Sequence, residues 1–214
     1  MKTILTICLT LFAVISIAQD SGELTIPLTN PDQRAKVVVD LRKGSIEVTG
    51  TERSDILVRY QATGSSPESE SNNSGLKRIG SAALDLEITE NNNEVIIESS
   101  SWQKGVNVYV EIPRNADLHM ESYNQGDLLV RNVNGEITAD SYNGRITAEN
   151  ISGSLVADTY NGPITATFTA VTPDTPMAFS TYNGNVDLTF PGNFKGSMKM
   201  KTNRGDIFSG FDFA

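Results

Sequence analysis

Residues 138–146 read TADSYNGRI and residues 156–164 read VADTYNGPI, with equivalent positions 18 residues apart. Related segments flank them: MESYNQG ends at Gly126, AFSTYNG at Gly184 and KMKTNRG at Gly205. Gly126, Gly135, Gly144, Gly153 and Gly162 follow one another at nine-residue steps, and Gly196 and Gly205 resume that step. A Tyr-Asn pair marks every second glycine, so the unit consists of two nine-residue halves. Each half holds a strand of five or six residues, ~17–20 Å long, and enough chain to turn a corner. Fixed periodicity with strand alternation predicts an all-β fold, a β-solenoid in which each unit is one coil. Asn143-Gly144, Asn161-Gly162 and Asn183-Gly184 are the expected corners, because a tight turn favours residues that adopt positive φ. Asn-Gly pairs also close ordinary β-hairpins, but hairpins do not require equivalent side chains at every second turn, as occurs here.

Stacked coils imply columns. Ser122, Ser141, Thr159, Thr181 and Thr202 align, as do Met120, Ala139, Ala157, Phe179 and Met200. After the corner come Leu128, Ile146, Ile164, Val186 and Ile207, then Val130, Ala148, Ala166, Leu188 and Ser209. These positions are expected to face a thin interior. Val133, Ile151, Phe190 and Phe211 are expected to fill the ends of its cross-section. The opposite parity, including Glu121, Asp140, Asp158, Ser180 and Lys201 and then Tyr123, Tyr142, Tyr160 and Tyr182, is expected to face out. The solenoid is expected to carry about five regular coils over 118–214, with TAVTPDTP (169–176) as an inserted loop.

Upstream, period-2 alternation predicts strands at 36–40, 45–49, 55–60, 83–89, 94–99 and 106–112. Residues 19–117 are read as irregular coils of the same stack. They are interrupted by an exposed loop over 64–82, which is rich in Ser, Asn, Gly and Glu. Residues 1–18 read as a secretory signal peptide: Lys2, then an apolar run from Ile4 to Ile17, then small residues at Ser16 and Ala18 ahead of Gln19. The run is too short to span a bilayer. Cleavage there would remove Lys2 and Cys8, leaving a mature chain with no cysteine and no transmembrane segment.

Composition narrows the chemistry. Of 214 residues, 17 are Lys or Arg and 26 are Asp or Glu, a net charge of -9, with one His and one Cys. A site assembled from several His or Cys ligands cannot be built from this set, and neither a metal nor a cofactor is expected. An acidic chain lacks the basic footprint of a nucleic-acid binder. The nine-residue glycine step is shared with calcium-binding β-rolls, but those pair their glycines and place an Asp ligand two residues on. Here that position holds Ile137, Ile146 or Ile164.

Three pieces together carry a family resemblance: the SYNG and TYNG repeats followed by Ile146, Ile164 and Val186, the Ile112-Pro113 step before them, and the leader. The chain resembles the bacterial exported β-strand-repeat proteins called "putative adhesin" or Toast-rack domain proteins, over about 35–212. The resemblance implies a β-solenoid of the cell envelope, sometimes tied to envelope-stress systems, and it brings no catalytic residues with it.

Two surface columns are the candidate binding residues. Tyr123, Tyr142, Tyr160 and Tyr182 form an aromatic strip suited to sugar rings or to a protein partner. The other reading is a ladder that stacks on itself and covers the corner. Asp140 and Asp158 lie one rung apart, near the carboxylate separation of retaining glycosidases; a solvated acidic face explains them as well. His119 and Trp102 have no assigned role. The apolar C-terminus, with Phe208, Phe211 and Phe213, is read either as a cap or as a surface for end-to-end self-association. The expected function is a non-catalytic binding or adhesion module of the bacterial envelope, in the periplasm or at the surface, acting on an envelope protein or a polysaccharide. The alternatives are a component of an envelope-stress or surface-sensing system and a carbohydrate-active enzyme.

Overall fold

The computed structural model describes residues 15–16, 21–63 and 85–211. Most of the leader, the loop expected at 64–82 and Phe213 therefore lie outside the described residues. The fold is all-β. Its strands are β1 (Ile15–Ser16), β2 (Ser21–Pro27), β3 (Ala35–Lys43), β4 (Ile46–Thr51), β5 (Asp55–Thr63), β6 (Leu86–Asn91), β7 (Glu94–Ser99), β8 (Gly105–Pro113), β9 (Ala116–Asn124), β10 (Leu128–Arg131), β11 (Asn134–Asn143), β12 (Ile146–Asn161), β13 (Ile164–Val171), β14 (Ala178–Asn183) and β15 (Val186–Thr189). Among the described residues no helix is long and apolar enough to cross a membrane.

Among the described residues the strands join in one mixed sheet of 15. Two parallel stacks dominate it. The first runs β7-β3-β9-β11-β12-β14 and the second β8-β4-β10-β12-β13-β15. β12 belongs to both, its N-terminal part to the second stack and its C-terminal part to the first. The register matches the repeat columns. Ser122 pairs with Ser141, Ser141 with Thr159 and Thr159 with Thr181. Leu128 pairs with Ile146, Ile146 with Ile164 and Ile164 with Val186.

Alternation sets the core. Met120, Ala139 and Ala157 from the first stack and Val130, Ala148 and Ala166 from the second belong to one buried cluster. Alanine at four of these six positions keeps the interior thin, while Leu128, Ile137, Ile146 and Leu155 supply bulk. Each fully buried Leu or Ile contributes about 1.5–3 kcal/mol. Val133, Ile151 and Phe190 are buried at the corners, as expected.

Three expectations need correction. First, the upstream strands do not simply precede the repeats. β3 inserts between β7 and β9, β4 inserts between β8 and β10, and antiparallel strands flank them: β6 on β7, and β5 on β8 with β2 beyond. A uniform succession of regular coils is therefore not what the sheet shows. Second, the fifth repeat does not extend it. Residues 190–211 carry no strand, Met200 and Ile207 are exposed, and Thr202 Oγ1 donates to Arg204 O within its own segment. Phe211 does approach Phe190, at 6.4 Å, but remains partly exposed, and Phe208 projects into solvent.

Third, the Asn-Gly corners work for a different reason. Positive φ occurs at Gly44, Gly153, Gln125, Asn132 and Asn150, among others, but not at Asn143, Gly144, Asn161, Gly162, Asn183 or Gly184. These three glycines are required by space. A Cβ on Gly144 would lie 1.9 Å from Gly126 O, one on Gly162 2.1 Å from Gly144 O, and one on Gly184 2.0 Å from Gly162 O. No side chain fits in a column where backbone packs on backbone.

Candidate functional site

The outward face of the first stack carries two adjoining rows. The aromatic row runs Tyr123, Tyr142, Tyr160 and Tyr182 on β9, β11, β12 and β14. Successive ring centroids lie 5.2, 5.0 and 4.8 Å apart with interplanar angles of 10°, 3° and 2°. The strand spacing of ~4.8 Å imposes this distance, and parallel strands in register leave each ring only its neighbour's face to lie against. The rings therefore stack on one another, so the internal members present edges to solvent and hide their faces. Tyr182, at the end of the row, is 72% exposed, against 41–43% for the other three.

Trp102 closes the other end of the row. Its ring meets Tyr123 edge-on at 5.3 Å, and the Arg42 guanidinium lies over the Trp102 ring at 5.7 Å. Sequence reasoning assigned Trp102 no role. It lies outside the repeat, and only the placement of β3 and β7 beside β9 brings it to the row.

The corner beneath the tyrosines is held by amides and hydroxyls. Asn161 Nδ2 donates to Asn143 Oδ1 at 2.7 Å and Asn183 Nδ2 donates to Asn161 Oδ1 at 2.8 Å. Ser122 Oγ donates to Gly44 O, Thr159 Oγ1 to Gly144 O and Thr181 Oγ1 to Gly162 O, at 2.8–3.0 Å. Ser141 breaks this series. Its Oγ is the buried side-chain oxygen without a partner among the described residues.

The acidic row lies two residues upstream on each strand. Asp140 pairs in register with Asp158 on one side and with Glu121 on the other. The row then continues beyond the repeat, through Asp40 on β3 to Glu98 on β7. Five adjacent strands thus carry a carboxylate at one register, over ~19 Å at the usual strand spacing. Burial pushes the Asp140 carboxyl above its ordinary value; neighbouring Asp158 adds to this and His119 opposes it. His119 Nε2 lies 4.0 Å from Glu121. The Arg pairs of the second stack are built differently, with Arg131 held between Glu47 and Glu149 at 2.6 and 2.7 Å. Neither Asp140 nor Asp158 has such a partner among the described residues. The carboxylates lie in a line, and among the described residues no three His, Cys, Asp or Glu side chains converge as a metal site would require.

Together the rows border a shallow open depression of about 290 Å³, lined by Glu121, Asp140 and Asp158, the tyrosines 123, 142 and 160, and the serines 122 and 141. The structure thus brings the Tyr column and the Asp140–Asp158 pair into one feature.

No family model matches the chain, and no curated protein matches it. The Toast-rack resemblance therefore rests on the repeat motifs themselves. A crystal structure described as a "putative cell adhesion protein" from Clostridium sporogenes is similar at 9% identity and a TM-score of 0.49, over 79% of this chain and 99% of that one. A "putative adhesin" from Bacteroides fragilis is similar at 8% identity and a TM-score of 0.25, over 78% and 96%. Both lie below the similarity at which a shared architecture follows.

Proposed function

We propose that this chain is an exported β-solenoid that acts as a non-catalytic binding or adhesion module of the bacterial cell envelope. The observation that carries the reading is the aromatic row, a self-stacked wall of four tyrosines headed by Trp102 and left on the surface. Large apolar side chains collected on one rigid face are the composition of recognition surfaces. The 18- and 19-residue offsets between paired parallel strands support the solenoid. The apolar leader ahead of Gln19 supports export. The paired carboxylates sit in an open depression that cannot exclude water from a reaction, which favours display over catalysis.

The test is a binding screen of the chain lacking residues 1–18 against envelope fractions, purified polysaccharides, peptidoglycan and lipid. Saturable binding that is lost in a Tyr142→Ala, Tyr160→Ala double variant of unchanged circular dichroism is the expected result. Turnover of a glycan that disappears in Asp140→Asn would replace the binding module with an enzyme.

A further inference from the structure

We propose that Asn183-Gly184 is a site of spontaneous deamidation, and that its conversion loosens the last rung of the stack. The chain holds Asn-Gly pairs at Asn134, Asn143, Asn161 and Asn183. Glycine has no side chain to crowd its backbone nitrogen, so that nitrogen can attack the side-chain amide of the asparagine before it. The fold treats the four pairs differently.

Three of them are held closed. Gly144 N donates to Asn161 O at 3.1 Å and Gly162 N donates to Asn183 O at 3.0 Å, so the next coil engages the nitrogen that would attack. The Asn161 amide is also fixed at both ends, donating to Asn143 Oδ1 and accepting from Asn183 Nδ2. Gly135 is buried inside β11, where a Cβ would meet Ala116 O at 2.1 Å. Asn134 is clamped to the adjacent turn, its N–H on Arg114 O and its Nδ2 on Asn115 Oδ1.

Asn183-Gly184 lacks these restraints because the rung that would supply them is missing: residues 190–211 carry no strand. Among the described residues no carbonyl accepts from Gly184 N, and nothing donates to Asn183 Oδ1. Both residues are exposed. One tie remains, from Asn183 Nδ2 to Asn161 Oδ1 at 2.8 Å.

The chemistry needs only water. Gly184 N gives its proton to hydroxide and bonds to Asn183 Cγ. The Cγ–Nδ2 bond breaks, and the nitrogen takes a proton from water and leaves as ammonia. Water then opens the resulting cyclic imide at either carbonyl, giving aspartate or an isoaspartyl linkage at position 183. Both products lose the Nδ2 donor that ties this rung to Asn161. The isoaspartyl linkage also adds a backbone carbon just before Gly184, where a Cβ would already lie 2.0 Å from Gly162 O. The added atom displaces Gly184 from the column and works against the pairing of β14 on β12 and of β15 on β13. Tyr182, the end ring of the wall, immediately precedes the modified residue. Modification therefore frays the wall from its open end and spares the internal rungs.

The experiment ages the full chain in mildly alkaline buffer, folded and in denaturant. Peptide mapping by mass spectrometry then separates asparagine, aspartate and isoaspartate at the four pairs. In the folded chain Asn183 should convert about tenfold faster than Asn143 or Asn161, the effect of one backbone hydrogen bond that must open first. In denaturant the four rates should draw together. No conversion at Asn183 in the folded chain, or conversion no faster than at the other three pairs, would overturn the site. Hydrogen exchange of the aged, folded chain should quicken over 178–189 and stay constant over 134–148. Unchanged exchange over 178–189 in the isoaspartate-bearing fraction would overturn the loosening.

Discussion

Asn161 donates a hydrogen bond from its Nδ2 to Oδ1 of Asn143, one coil back, at 2.7 Å. It also accepts from Asn183 Nδ2 at 2.8 Å, so one amide is both donor and acceptor in a chain along the corner. Such chains polarise their members and strengthen each bond. Asn161→Ala breaks both links and should cost about 1–3 kcal/mol. The midpoint of urea unfolding is the measurement; a variant as stable as the parent would show that the amides are idle.

The glycine column should tolerate no side chain. A Cβ at Gly162 would meet Gly144 O at 2.1 Å, whereas one at Gly192 would meet nothing within 4 Å. Gly162→Ala is expected to destabilise by about 3 kcal/mol or to prevent folding. Gly192→Ala should stay within about 0.5 kcal/mol of the parent. Thermal melts of the two variants side by side decide the matter, and equal melting temperatures would refute the packing account.

The tyrosine wall makes a graded prediction. Tyr142 stacks on two neighbours and Tyr182 on one. Each stack is worth about 0.5–1.5 kcal/mol, so Tyr142→Ala should destabilise more than Tyr182→Ala by about one such contact. Near-ultraviolet circular dichroism should fall more in the first variant as well. The reverse order would mean that the rings merely lie close to one another.

Asp140 gives a pH dependence with a definite sign. Burial, aided by Asp158, raises its folded-state value above the ordinary 3.8. The ionised form is therefore disfavoured in the fold, and Asp140 costs stability at neutral pH. The cost is withdrawn as pH falls through the raised value and is gone below about 3.8, where both states hold the proton. Asp140→Asn should melt higher than the parent at pH 7, and the gap should close on acidification. A gap that is constant with pH would sink this assignment.

The repeat half of the fold was legible because parallel pairing in register places like on like. Once Ser141 is aligned with Thr159, the inward and outward positions over 118–179 follow, whereas Val186, expected inward, is exposed on the last strand. The upstream strands were found individually, but their order was not. β3 and β4 have no repeat partner in the sequence, and nothing local says that Asp40 will lie between Glu98 and Glu121. For that reason the repeat columns yield three carboxylates, Glu121, Asp140 and Asp158, but not Asp40 and Glu98, and they give Trp102 no place. The fifth repeat shows the opposite failure. KMKTNRG keeps the spacing, yet Met200 and Ile207 stay exposed; the pattern is necessary for a rung but does not by itself seat one. The Asn-Gly pairs were found for the wrong reason. Positive φ instead falls at Gly44, Gly153, Asn132 and Asn150, which lie outside the Tyr-Asn-Gly motif, and at Gln125, whose residue type does not announce it.

The glycine column has a consequence for how such a chain can vary. Gly126, Gly144, Gly162 and Gly184 each press against the carbonyl of the glycine on the neighbouring rung of the column, starting from Gly44. These four junctions share one glycine-to-carbonyl packing. Duplicating or deleting a single 18-residue unit would lengthen or shorten the tyrosine wall by one ring and the acidic row by one charge, leaving each remaining junction as it was. The molecule is in this sense a ruler, and the length of its exposed rows can be altered by whole rungs without inventing a new surface.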